Sequence, residues 1–186
     1  MALKKGFALS AALLLVIMPS IAQSVEGGVW FTGLFEEETF TTLSKLREME
    51  PRYVTVTMVG HSKGYIERCT YKGVPLKDAM LTAGYKGTRG PDDGIEDMIR
   101  VIGSDAYGCV LSWTEVFDQD NSSNIILAYE KDGEPLDEEE GPIRLVTAND
   151  NYVGRYIKNV VQIDAVTGYQ LPVKGAAQTG ATQKSQ

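Results

Sequence analysis

Arg144, Arg155 and Lys158 are cationic side chains of the kind that can hold an anion. A guanidinium presents a planar fork of donors that meets phosphate or carboxylate through two bonds at once. The same three residues also suit ion pairs with the chain's many carboxylates, including the run Asp137 to Glu140. His61 is the only histidine and sits in a Gly-rich turn, Gly60 to Gly64. It can serve as a proton donor near neutral pH, or be an exposed turn residue. Without Cys or carboxylate neighbours at ligand spacing it is not a zinc site. Cys69 and Cys109 read either as one disulfide, worth about 4 kcal/mol for a loop of that length, or as separate buried thiols on different strands. Neither has a histidine nearby in sequence to activate it as a nucleophile. The acidic loop Asp132 to Glu140 lacks the spacing of a calcium loop. Trp30, Phe31 and Trp113 suit a ligand groove or a core.

These residues need elements to hold them. Thr39 to Glu50 predicts a short helix capped by Thr41 or Thr42 and ended by Pro51. Tyr53 to Val59 is β-branched and apolar, and predicts a strand. Tyr65 to Tyr71 alternates and reads as its partner, with a turn at Lys72-Gly73. Pro75 to Ala83 predicts a helix with Leu76, Ala79, Met80 and Ala83 on one face and Gly84 closing it. A Gly-rich loop follows to Asp97. Strands are expected at Met98 to Ile102, Gly108 to Leu111, Ile125 to Tyr129 and Ile143 to Thr147, and a long one at Tyr156 to Val166. Thr114 to Phe117 reads as one helical turn. Strands outnumber helices, so the fold class is α+β with a mostly β mixed-sheet core.

Five stretches in order carry a family resemblance. They are Tyr71-Lys72-Gly73-Val74-Pro75-Leu76 leading to Ala83-Gly84; Asp105-Ala106-Tyr107 with Leu111-Ser112 and Glu115; Gly133-Glu134-Pro135-Leu136; Gly141-Pro142-Ile143-Arg144-Leu145-Val146; and Gly154-Arg155-Tyr156-Ile157-Lys158. Their order and spacing resemble the sulfite oxidase-like molybdopterin-binding domain. The resemblance implies that fold. It implies a molybdenum–molybdopterin cofactor in the enzymes, with Arg144, Arg155 and Lys158 at the pterin or its phosphate.

The departures bear on chemistry. The enzymes ligate molybdenum through a cysteine thiolate on a loop upstream of the Tyr71 motif. Here that region, Val59 to Gly64, holds His61 and no cysteine. Cys69 lies too close to the motif and within an expected strand. Asn159 stands where the family has Trp. The expectation is therefore that no cofactor is bound. The alternative keeps molybdenum–molybdopterin, contacted by Arg155 and Lys158, with Cys69 or His61 approaching the metal.

The ends set the compartment. Residues 1–22 read as a cleaved signal peptide: Lys4-Lys5, an apolar run from Phe7 to Met18, then Ser20-Ile21-Ala22. A lysine pair favours export of an unfolded chain over the twin-arginine route, and a chain threaded unfolded cannot carry a cofactor inserted in the cytoplasm. Residues 23–167 form the domain, and 168–186 a flexible tail rich in Gly, Ala, Gln and Thr. The net charge of −7 becomes −9 once Lys4 and Lys5 are removed, which excludes a nucleic-acid or anionic-membrane footprint. The expected role is a periplasmic or secreted binding or accessory module without molybdenum, for a small anion or a protein partner. A third reading is a partner-binding domain whose pocket is vestigial. The alternative is a molybdopterin-dependent oxidoreductase or a subunit of one.

Overall fold

The computed structural model describes residues 27–59, 66–117, 124–150 and 153–168. Ten strands among them form two five-stranded sheets. The first sheet contains β1 (Gly28–Gly33), β2 (Thr39–Thr42), β5 (Asp97–Gly103), β6 (Gly108–Ser112) and β10 (Val160–Thr167), in the order β2-β1-β10-β5-β6. β10 runs parallel to β1 and antiparallel to β5. The second contains β3 (Arg52–Val59), β4 (Ile66–Pro75), β7 (Ile125–Lys131), β8 (Glu134–Pro135) and β9 (Arg144–Thr147). There β3 pairs β4, β4 pairs β7, and β8 and β9 both pair β7. Three short helices complete the set: α1 (Leu43–Arg47), α2 (Leu76–Thr82) and α3 (Trp113–Phe117).

Period-two burial explains the first sheet. Ile99 and Val101 of β5 point inward, and Arg100 between them points out. Val29, Phe31, Ile163 and Ala165 do the same on β1 and β10. These side chains meet Leu127 of β7, Leu145 of β9, Leu46 of α1 and the α2 face Leu76, Ala79 and Met80 in one core cluster. The opposite face of the second sheet has its own smaller core of Val54, Val56, Cys69, Tyr71, Ile126, Ala128, Val146 and Tyr156.

Val160 and Ile163 are both buried although they differ in parity. A register shift between Val160 and Gln162 against β5 reconciles them, because one extra residue restores the inward direction. Val160→Ala and Ile163→Ala should each cost about 1–4 kcal/mol. Denaturant midpoints at constant slope check this, and an unmoved midpoint in both would show that β10 is not core.

Four sequence expectations change. Thr39–Thr42 is a strand rather than helix, since its threonines favour an extended chain and pair with β1. The helix starts only at Leu43, with the Thr42 hydroxyl accepting from the Lys45 N–H at 3.3 Å. Lys72-Gly73 is not a turn: β4 runs on to Pro75, with a bulge against β7 at that point. The last strand begins at Val160, not Tyr156. Residues 156–159 instead bridge the sheets, where the Ile157 carbonyl accepts from the Leu145 N–H at 2.9 Å and Asn159 adopts φ 47°. β1 was not anticipated, because Gly27-Gly28 and Gly33 interrupt its apolar pattern.

Candidate functional site

Arg155 ends a 3-10 turn, Val153–Arg155, and reaches between two other segments. Its Nε and Nη2 donate to the two Asp150 carboxylate oxygens at 2.8 and 2.6 Å, a bidentate pair. Its Nη1 donates to Glu115 Oε1 at 2.7 Å. Glu115 Oε2 accepts from the Ser112 N–H at 2.8 Å and hydroxyl at 3.0 Å, which fixes the carboxylate at the start of α3. The Thr147 hydroxyl donates to Asp150 Oδ2 at 2.8 Å. The clamp ties α3, the turn after β9 and the 3-10 turn together. Beside it lies a cavity of about 130 Å³ lined by Glu115, Ile125, Thr147, Asn149, Asp150 and Arg155.

Two carboxylates face one guanidinium here, and the electrostatics follow. Arg155 holds the Asp150 carboxyl below its usual range, chiefly through their hydrogen bond and against burial. Burial pushes Glu115 up, but the Ser112 and Arg155 hydrogen bonds outweigh it and leave the carboxyl lowered. The Asp150 hydrogen bond raises Arg155. Depressed carboxyls contribute stability that is present above their ordinary values and lost as pH falls through the folded ones. The urea midpoint of the wild type should therefore drop below about pH 4, and Arg155→Gln should flatten that drop. Equal slopes in both proteins would show that the clamp contributes nothing.

The other two expected cations do not line this cavity. Arg144 of β9 is buried; its Nη1 meets Glu140 at 2.6 Å and donates to the Tyr71 hydroxyl at 3.1 Å. Its guanidinium lies 5.5 and 5.6 Å from the ring centroids of Tyr71 and Tyr156. Lys158 pairs with Glu139 at 2.5 Å. Each of the three cations thus has a carboxylate partner, and only Arg155 lines the cavity.

Of the two disulfide readings, the structure gives separate thiols. Cys69 is buried on β4 and Cys109 lies on β6 in the other sheet. Burial raises the Cys69 thiol against the charge of Lys131, and pushes Cys109 up to about 11. Both are poor thiolates. His61 lies outside the described residues. Among the described residues no group of three or more His, Cys, Asp and Glu is placed to hold a metal.

Sequence reasoning missed Asp150 altogether. Its one local signal is a carboxylate five residues before Arg155 in a polar turn. It also passed over Asp97. That residue is 1% exposed, and it accepts from Tyr85 Oη at 2.6 Å and the Thr88 N–H at 2.9 Å, pinning the Gly-rich loop.

A family model described as oxidoreductase molybdopterin-binding domain matches residues 28–171. The chain belongs to the oxidoreductase molybdopterin-binding domain family. Among solved structures it is similar to the sulfane dehydrogenase SoxCD of Paracoccus pantotrophus, with a TM-score of 0.60 and 21% identity over 75% of this chain. At that identity the likeness shows the fold, the sulfite oxidase-like molybdopterin-binding one. The match covers 38% of the SoxCD chain, so this protein spans under half the length of that relative. No curated protein matches it.

The family's cofactor is a useful probe of this site. A molybdopterin is anionic at its phosphate and dithiolene, and its metal needs a reachable thiolate in the enzymes the sequence resembles. The described residues do not fit it. Asp150 and Glu115 take three of the five Arg155 N–H donors, the lining carries more negative than positive charge, and Cys69 is sealed in a strand at 2% exposure.

Proposed function

We propose that this family member works without molybdenum, as an exported binding or accessory module. The carrying observation is the Arg155 clamp, in which Asp150 and Glu115 take the guanidinium edges that a cofactor phosphate would need. A small anion in this cavity would compete with them for the guanidinium, and a periplasmic protein partner is the other candidate. The leader at residues 1–22 supports a periplasmic or secreted location after cleavage at Ala22, with the Lys4-Lys5 pair favouring export before folding.

The family match favours a second reading, a molybdopterin-dependent oxidoreductase or a subunit of one. In it Arg155 and Lys158 touch the cofactor, and Cys69 or His61 approaches the metal. One measurement separates the two. Protein recovered from its native compartment should show background molybdenum by elemental analysis and no pterin fluorescence. Stoichiometric molybdenum, lost in Cys69→Ser, would restore the oxidoreductase.

A further inference from the structure

Sheet edges are templates for strand addition, and natural proteins blunt them with short strands, lysine, proline or bulges. Three edges of this fold follow that rule. β2 and β9 have four residues and β6 has five. β3 does not: it runs for eight residues in unbroken register with β4, from Arg52↔Gly73 to Val59↔Ile66. It contains no lysine, no proline and no bulge, and Arg52 at its start is its one charge. Among the described residues no strand pairs with its other edge. Val54 and Val56 sit in the smaller core, while Tyr53 (62% exposed), Thr55 and Thr57 are open to solvent.

We propose that β3 pairs antiparallel with β3 of a second copy, so that the second sheet continues across a two-fold axis. The strand is self-complementary in that arrangement. Centred on Val56, it sets Thr55 of one copy opposite Thr57 of the other and Val56 opposite Val56, β-branched against β-branched. Val54 and Val56 then extend the smaller core from one copy to the next. A parallel arrangement would place two Arg52 side chains together, whereas the antiparallel one sends them to opposite ends. Net charge selects the same contact. Two copies of a chain carrying −7, or −9 once Lys4 and Lys5 are removed, repel one another over much of their surface, and the Tyr53–Val59 stretch carries no charge. An isologous pairing of this kind closes as a dimer and leaves no edge to grow a fibre. The inference is independent of whether a cofactor is bound.

The protein recovered from its native compartment is examined by light scattering across a wide concentration range, together with amide exchange. The expected result is a dimer mass, with protection of alternate β3 amides that rises and falls with the dimer population. Thr55→Lys and Thr57→Lys should each weaken the dimer several-fold, since each sets two lysines diagonally across the axis, and the double variant, which sets lysine directly opposite lysine, should weaken it more. Circular dichroism midpoints at dilutions where the wild type is monomeric should stay unchanged. If one lysine variant fails to fold, the other and the wild-type exchange pattern decide. A monomer at every concentration overturns the proposal. So does a dimer that neither lysine weakens, or one whose β3 amides stay unprotected.

Discussion

Arg144→Ala should destabilise the fold by about 3–5 kcal/mol, the usual consequence of removing one partner of a buried ion pair. The Arg144 side chain is 7% exposed and that of its partner Glu140 14%. Alanine leaves the Glu140 carboxylate in a low-dielectric setting with only Lys131 at 3.5 Å to offset it. It also strips the Tyr71 hydroxyl of its donor and empties the space between the Tyr71 and Tyr156 rings. The pair itself is imperfect, because Arg144 Nε and Glu140 Oε2 are buried without a hydrogen-bond partner among the described residues. Replacing both members, as Arg144→Met with Glu140→Leu, should therefore recover most of the loss. Urea unfolding of Arg144→Met, Glu140→Leu and the double variant, beside the wild type, checks this as a cycle. A neutral Arg144→Ala would mean that the residue is not a structural cation and would reopen a ligand role for it.

Gly73→Ala should be nearly as damaging, at about 3 kcal/mol. A Cβ at this position would lie 2.6 Å from the Ala128 Cα and closer still to the Leu127 carbonyl oxygen. Both obstacles are backbone of β7, so no side chain can swing aside. The strands must separate at the point where β4 already shifts register against β7. Gly154→Ala is the control: a Cβ there meets nothing within 4 Å. Thermal midpoints of the two variants should differ clearly. Equal midpoints would refute the close approach. This contact supplies a physical reason for glycine in the Tyr71-to-Leu76 motif, and it is not the turn that the Lys-Gly pair suggests.

Much of the architecture was legible in the chain. Tyr53–Val59, Met98–Ile102, Ile125–Tyr129 and Ile143–Thr147 read as strands because β-branched and aromatic runs are bounded by Gly, Pro and Asp. The helix at Leu76–Thr82 was legible from its apolar face and from Gly84, whose φ of +88° closes it. β2 is not legible locally, because a threonine run suits a helix cap as well as a strand, and pairing with β1 decides between them. The start of β10 is not legible locally either, because Tyr156 and Ile157 look like strand residues, yet they bridge the two sheets.

The site divides along the same line. Local sequence determined which residue types were available, namely two arginines, a lysine, two cysteines and one histidine, and the ordered motifs determined the family. Only the tertiary structure decided what those residues do. Glu115 and Arg155 are 40 residues apart, and Tyr71 and Arg144 are 73 apart. No period of 2 or 3.6 encodes a contact at such separations, because it arises from how two sheets and three short helices stack on a shared core. That stacking pairs each cation with a carboxylate and seals Cys69 inside a strand. It also leaves one long strand edge uncovered among the described residues.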